Sequence, residues 1–532
     1  MTKGLHLTEE DNRVSDEGGK RQIVAEQRHS LGVSLESLLE GVEVRSRVPI
    51  REITIQQVTH DSRKVEPGAL FVAIPGVTTD GTLFAKDAAV KGAIVVLSEA
   101  PAPADWPAEI AWVQVAEARK SLAITAANFF GRPASALQLI GVTGTNGKTT
   151  TTSLVDSILR ASGAKTGLFG TIRYHTPNRT YPAPNTTPES VDLQHFFAEI
   201  RDAGGSYATM EASSHALALD RLWGCHFTAA VFTNLTRDHI DFHKNFENYF
   251  AAKRRLFEGT GAGAPDFGVI NTDDEWGKRL TGLAKQTLTY GLQNGADLKA
   301  KKIQLSFNGL NFAAQTPQGK IQVESPLVGR INVYNILAAI GAAIGLRISN
   351  DVIETGIRNL HAVAGRFQRI DAGQPFLVVV DYAHTDDALQ NLIRTARELI
   401  TKGRIITLFG CGGSRDRTKR PIMGETSGKM SDLTILTGDN PRQEDPLKII
   451  SDVVVGMQKS GGKYLIEPDR AKAISLAIEE ARPGDIVLLA GKGHEDYQVF
   501  ADHAVHLDDR EEARRALGER GYSGEQKLQN GK

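Results

Sequence analysis

Apolar residues in this chain gather into short continuous runs, separated by longer stretches in which they recur at three- and four-residue spacing. The runs read as strands and the spaced stretches as helices, so the pattern predicts the two in alternation. Residues 33–136 carry Ala69-Leu-Phe-Val-Ala73 and Ala93-Ile-Val-Val-Leu97 among helical stretches, which predicts a small α/β domain ending near Arg132-Pro133. Residues 137–362 open on the run Leu137–Val142, hold the strands Ala229-Ala-Val-Phe-Thr233 and Phe267-Gly-Val-Ile270, and include a β-rich excursion over 298–328. In residues 363–532 the runs Phe376–Asp381, Ile405–Phe409, Leu433–Thr437 and Ile486–Ala490 are apolar at successive positions. Such strands are buried on both faces and suit a parallel sheet covered by helices, with ligands bound beyond the carboxyl ends of the strands.

The segment Gly141-Val-Thr-Gly-Thr-Asn-Gly-Lys-Thr-Thr150 follows a predicted strand and opens a predicted helix over Thr149–Ser162. Glycines let successive N–H groups turn inward, Lys148 adds a positive charge, and the helix N-terminus adds its dipole, which together make a cradle for a polyphosphate. Thr149 supplies a hydroxyl suited to Mg²⁺. Val142 stands where the common P-loop has its first glycine, which argues against motor and GTPase families. The expected class is therefore α/β in three domains, with a central P-loop-type ATP-binding domain and a C-terminal Rossmann-like parallel-sheet domain.

Composition narrows the partners. With 62 Lys and Arg against 63 Asp and Glu, the net charge is −1, which gives no reason to expect a nucleic-acid partner. Cys225 and Cys411 are the only cysteines and are far apart, so neither a disulfide framework nor a zinc knuckle is supported. No run reaches the roughly eighteen apolar residues that a membrane-spanning helix needs. A cytoplasmic protein without membrane insertion is expected, as a monomer, with residues 1–32 a mostly disordered extension because they mix charges and lack an apolar core.

Candidate chemistry sits at several points. In Asn245–Phe257, read as a helix, Phe246, Tyr249, Phe250, Leu256 and Phe257 form one apolar stripe, and Lys253 falls in its middle. A lysine on a buried face must be paired, neutralised or modified, unless its stem packs and its head reaches water. Glu211 in Met210-Glu-Ala-Ser-Ser-His215 is a suitable hard ligand for Mg²⁺, and His239 in Thr233-Asn-Leu-Thr-Arg-Asp-His239 is a second candidate for the same site. His239 and His243 have the spacing of a zinc pair but lack the intervening Glu of metalloproteases. In the last domain, Gly412–Arg420 clusters cations, and Asp439-Asn-Pro-Arg442 and Gly491-Lys-Gly-His-Glu495 follow other strands. Arg forks and acidic groups together suit a ligand with both charges, such as an amino acid.

From about residue 50 to residue 512 the chain resembles the Mur ligases, ATP-dependent amide-bond-forming enzymes of peptidoglycan precursor synthesis. Thr143-Gly-Thr-Asn-Gly-Lys-Thr149 is similar to their ATP loop, Gly329-Arg-Ile-Asn-Val-Tyr-Asn335 to their adenine-side motif, and Val380-Asp-Tyr-Ala-His384 to their segment near the nucleotide. The resemblance implies that Thr143, Gly144, Thr145, Asn146, Gly147, Lys148, Thr149, Asn335, Asp381 and His384 bind ATP. Asp386 stands where many members have proline, a change expected to lie at the surface. Within the family, Asp439-Asn-Pro-Arg442 resembles the motif of those members that add meso-diaminopimelate to UDP-N-acetylmuramoyl-L-alanyl-D-glutamate. The resemblance gives Arg415, Asp439, Asn440, Pro441, Arg442, Gly491 and Glu495 to the amino acid. It gives Ser62, Asn185, Thr186, Thr187, Ser213 and Arg221 to the UDP precursor. It makes Lys253 a carbamylated lysine that, with Thr149, Glu211 and His239, organises Mg²⁺. Lysine as the acceptor, a folylpolyglutamate synthetase, and a nucleotide-gated switch protein are the competing readings.

Overall fold

Each apolar run does form a strand, and because both of its faces must be covered, helices pack on either side of the three large sheets. The computed structural model describes residues 32–47, 52–76, 79–293, 295–400 and 402–524, and all but the last residue of the expected N-terminal extension lies outside them. Three main sheets follow one another along the chain, as the α/β reading anticipates.

The first has five strands, in the order Val44–Arg47, Ala111–Val115, Ala93–Ser98, Ala69–Ala73, Gln57–Thr59, parallel except for the first pair. Leu122, Ala126 and Phe129 of the helix Ala118–Phe129 pack on one face, and Ala85 and Ala88 of the helix Ala85–Val90 on the other.

In the second, Gln138–Thr143 lies between Tyr207–Glu211 and Ala229–Phe232, all parallel. Phe267–Asn271 and Gln286–Gly291 extend this sheet, and the antiparallel strands Leu298–Ser306, Gly309–Thr316 and Gly319–Ser325 continue it. The β-rich segment thus continues one eleven-stranded sheet. Ile158 and Leu154 of the helix Lys148–Ala161 pack with Ile336 and Ile340 of the helix Arg330–Gly345 in the core on one face. Phe196, Phe250 and Phe257 pack in the core on the other.

The third sheet runs Gln368–Ile370, Leu377–Asp381, Ile486–Ala490, Ile405–Phe409, Leu433–Leu436, Tyr464–Ile466, with only the first pair antiparallel. Its register places Asp381 beside Ala490, Ala490 beside Phe409, and Phe409 beside Leu436. Four strands therefore end level, and the polar loops after them emerge in one row. Beneath that row Arg470 and Asp509, both fully buried, make a bidentate pair at 2.7 and 2.6 Å. Arg470 also donates to the carbonyls of Gly438 and Ala490 at 3.3 and 2.9 Å, tying down two of those strand ends.

Candidate active site

The strand registers assemble the central half of the site. Val142 pairs with Glu211 and Thr143 with Phe232, so the phosphate-type loop, the Glu211 turn and the segment leading to His239 leave the sheet together. Asn234 locks the loop: its carbonyl accepts from the Thr145 N–H at 2.9 Å and its side chain from the Asn146 N–H at 2.9 Å. Two glycines are required here. Gly144 has φ +147° and a Cβ would fall 1.9 Å from Thr233 Oγ1, while Gly147 has φ +88° and a Cβ would fall 2.4 Å from Asn335 Oδ1. Asn335 is held in turn by the Asn332 side chain at 2.9 Å.

Lys253 is 1% exposed on the helix Phe246–Glu258, as the stripe predicts. Its head does not reach water. Nζ donates to the Gly144 carbonyl at 2.7 Å and lies 4.3 Å from the centre of the Tyr249 ring. Burial, with Lys148 adding repulsion, holds its pKa well below the ordinary lysine range. Lys148 is also lowered by burial, and donates to the carbonyls of Gly144 and Thr145 at 3.0 and 2.8 Å. Glu211, 1% exposed, accepts from the Thr171 N–H at 2.8 Å and the Thr171 hydroxyl at 3.1 Å. His239 opens the short helix Ile240–His243 at φ +52°, with Asp238 3.2 Å from its Nε2. His243 instead bonds Ser214 Oγ at 2.9 Å, so the two histidines turn to different partners.

The third sheet closes over this half. Thr145, Asn146, Gly147, Lys148, Thr149, Glu211, His239, Lys253, Asn335, Asp381 and His384 line one cavity of about 240 Å³. Arg366, which the sequence reading did not single out, donates to the Thr149 hydroxyl at 3.0 Å and stacks 4.8 Å from the centre of the Tyr382 ring. Both oxygens of Asp381 are taken by backbone, accepting from the N–H groups of Phe367 at 2.7 Å and Ala383 at 2.9 Å, so Asp381 fixes the loop that carries Arg366. Asn146 reaches across to Asp387 at 2.7 Å.

A second cavity of about 390 Å³ is lined by Arg415, Asp439, Asn440, Arg442, Gly491 and Glu495. Asp238, His239, Tyr382 and His384 line both cavities, so the two are contiguous. Lys492 donates to Asn440 and to Glu495 at 3.2 Å each, and Tyr382 to Glu495 at 3.3 Å. Nearby cations hold the Asp439 carboxyl below its usual range against the opposing effect of burial, with Lys492 the largest contributor. Arg442 adopts φ +52° and donates to the Gly413 carbonyl at 3.0 Å; burial and the neighbouring Arg415 charge lower its pKa.

Some expected residues stand elsewhere. Thr143 and Gly144 support the loop from behind without lining the first cavity, and Pro441 shapes its turn without lining the second. Thr186 and Ser213 reach the first cavity, whereas Asn185, Thr187 and Arg221 form the wall behind it: Thr187 Oγ1 donates to the Glu211 carbonyl at 2.7 Å, and Arg221 donates to the Thr187 carbonyl at 3.0 Å and pairs with Glu189 at 2.6 Å. Ser62 lies in the first domain, in the turn Ser62–Lys64 capped by Asp61, and lines neither cavity. Of the 412–420 cations, Arg420 is fully buried against Glu444 and Asp452 and is structural. Position 386 is corrected: Asp386 faces the second cavity with one oxygen covered, because the helix it begins points into the cleft. Asp238 and Tyr382 lay within quoted motifs but carried no separate signal.

Residues 54–130 match the Mur ligase family catalytic domain, 142–343 the Mur ligase middle domain, and 365–493 the Mur ligase glutamate ligase domain. The chain belongs to the Mur ligase family. This Mur ligase is 52% identical over 493 residues to a UDP-N-acetylmuramoyl-L-alanyl-D-glutamate–2,6-diaminopimelate ligase of Solibacter usitatus, covering 92% of this chain and 99% of the relative. It is 45% identical to the enzyme of that name from Geobacillus kaustophilus, covering 87% and 94%. A solved structure of a ligase of the same name superposes with a TM-score of 0.64 at 33% identity, covering 93% of this chain and all of the other. A Thermotoga maritima MurF ligase in complex with ADP shares the fold at a TM-score of 0.61 and 17% identity, covering 89% and 100%.

Proposed function

We propose that this Mur ligase joins meso-diaminopimelate to UDP-N-acetylmuramoyl-L-alanyl-D-glutamate at the expense of ATP. The supporting observation is the contiguity of the two cavities: a phosphate-type loop lines one, paired Arg415 and Arg442 line the other, and four residues are common to both. The 52%-identical relative bears the name of that activity. The divisions at 136/137 and 362/363 separate a precursor domain, an ATPase domain and an amino-acid domain. One chain carries every proposed site residue, so a monomer suffices, and the nucleotide substrates place it in the cytoplasm.

The D-glutamyl γ-carboxylate attacks the γ-phosphoryl of ATP, giving an acyl phosphate and ADP. The diaminopimelate amine attacks the activated carbonyl, loses a proton and expels phosphate, leaving an amide. Lys148 and Arg366 stabilise charge on the phosphoryl oxygens, and the enclosed cleft keeps water from the acyl phosphate. Ser62 anchors the uridine end, Thr186 and Ser213 hold the dipeptide, and Asn185, Thr187 and Arg221 support that wall. Arg442 and Arg415 take the acceptor's carboxylates, with Asp439, Asn440, Gly491 and Glu495 around its amino group.

The Glu211 carboxylate fits a Mg²⁺ ligand. Thr171 holds the buried Glu211 carboxylate with lone pairs to spare, and Mg²⁺ is commonly held by one or two carboxylates together with substrate phosphates and water. Glu211, His239 and Thr149 would hold it, and it would offset charge on the phosphates. An ammonium at Lys253 would repel the cation. Burial disfavours the charged form of Lys253, and the uncharged amine is the form that adds CO₂, losing a proton to give an anionic carbamate.

Turnover with product mass analysis tests the reading. ADP formation is expected only with the muramoyl dipeptide present, and amide only when diaminopimelate is added. Arg442→Ala is expected to lose the preference for diaminopimelate over lysine, because lysine lacks the second carboxylate. ADP released at full rate without precursor or acceptor would instead mark a nucleotide switch.

A further inference from the structure

Four Lys and Arg side chains line the second cavity: Arg237, Arg415, Lys419 and Arg442. Arg237 stands 3.6 Å from the Asp416 carboxylate. The other three make no ion pair among the described residues and donate to backbone carbonyls: Arg415 to Ser414 at 3.2 Å, Arg442 to Gly413 at 3.0 Å and Asn440 at 3.5 Å, and Lys419 to His384 at 2.9 Å. Lys419 is half-buried, and its neighbour fixes its place. Arg420, fully buried, bonds Glu444 and Asp452 at 2.9 Å each and anchors the start of the helix Lys419–Met430. His384 lines both cavities, so its carbonyl holds the Lys419 ammonium at their junction. Burial, and after it the Lys419 charge, keeps the His384 imidazole below its ordinary range, so the positive charge at that corner is the lysine's.

We propose that Lys419 is a further catalytic residue, whose ammonium contacts the phosphoryl group of the acyl phosphate and stabilises it as it departs; the inference rests on the ligase reading above. Charge matching carries it. A half-buried cation without a counter-ion is costly until an anion arrives. meso-Diaminopimelate brings two carboxylates, for which Arg415 and Arg442 suffice, so the third cation without a carboxylate is matched by the remaining anion of the reaction, the phosphoryl group. A lysine suits that group as a compact point charge. When the neutral amine attacks the acyl carbon, the carbon–oxygen bond to phosphate breaks, its electron pair stays on the phosphate oxygen, and the proton lost from nitrogen leaves with the phosphate. Lys419 offsets the charge gathering on that oxygen from the acceptor side, while Lys148 and Arg366 act from the first cavity, and it forms no covalent bond.

The test is steady-state kinetics of the full-length ligase carrying Lys419→Gln, which keeps a donor for the His384 carbonyl but no charge, or Lys419→Arg, which keeps the charge. In Lys419→Gln kcat for amide formation is expected to fall about 10²-fold, and in Lys419→Arg to recover to within about tenfold of wild type, with KM for meso-diaminopimelate within about threefold in both. Inhibition by the product, inorganic phosphate, is expected to weaken about tenfold in Lys419→Gln, the effect of one charge-assisted contact. A kcat in Lys419→Gln within about fivefold of wild type, or equal losses in both variants with a lowered Tm, makes the role structural and overturns the proposal. Unchanged phosphate inhibition overturns it too. A rise of about tenfold or more in KM for diaminopimelate with kcat preserved makes Lys419 an acceptor contact instead, and likewise overturns it. Wild-type protein that forms no amide with any amino acid would overturn the ligase reading itself, a distinct result.

Discussion

Removing Asp509 exposes what the amino-acid loops rest on. Asp509→Ala leaves the fully buried Arg470 guanidinium without the carboxylate that takes two of its N–H groups, at 2.7 and 2.6 Å. Breaking one partner of a buried pair costs about 3–5 kcal/mol. For a domain of this size each kcal/mol lowers Tm by roughly 2–4 °C, so a fall of about 6–20 °C is expected in the C-terminal transition by calorimetry. The same guanidinium holds the carbonyls of Gly438 and Ala490, one residue before Asp439 and Gly491, so KM for the amino acid rises more than KM for ATP. The double variant Arg470→Met/Asp509→Leu removes both charges and is expected to regain most of the lost Tm. A single-variant fall below about 3 °C, or a double variant no better than the single, would refute the reasoning.

Gly147→Ala places a Cβ 2.4 Å from Asn335 Oδ1 at φ +88° and is expected to raise KM for ATP at least about tenfold, whereas Gly163→Ala, at φ +84° with nothing within 4 Å, reports backbone strain alone and leaves that KM unchanged. Arg366→Ala removes a cation from the phosphoryl side of the cleft; kcat is expected to drop about 10²–10³-fold with Tm little changed, and a drop below about fivefold counts against its role. Burial and the charges of Arg366 and Arg510 push His494 down to about 4. The unfolded chain, with an ordinary histidine pKa near 6.5, therefore binds the proton first, and stability falls as pH drops from about 6.5 towards 4. Tm measured across that range is expected to decline less steeply in His494→Gln, and parallel profiles would remove His494 as the cause.

Much of the fold was legible because buried parallel strands leave unbroken apolar runs. Leu433–Leu436 and Ile486–Ala490 needed no context to be found. Lys253 was legible for a related reason: helical periodicity fixed which face it shared with Tyr249 and Leu256, and that face is buried. Arg366 was not, since its importance comes from a crossing between sheets that no local pattern encodes. Asp386 misled because local reading gives a charged residue at a helix start to solvent, whereas tertiary placement turned that helix into the cleft. Arg420 misled in the opposite sense: a basic run read as ligand-binding spends one of its charges on Glu444 and Asp452.

The hydrogen bond from Asn146 to Asp387 makes one helix the shared wall of two compartments. A nucleotide that reorients Asn146 is expected to shift this wall, and if it does, occupancy of one compartment changes affinity for the other by a factor that thermodynamic reciprocity makes equal in both directions. Titrating the acceptor against a non-hydrolysable nucleotide, and the nucleotide against the acceptor, should return the same ratio, and replacing Asp387 with alanine should bring that ratio towards unity.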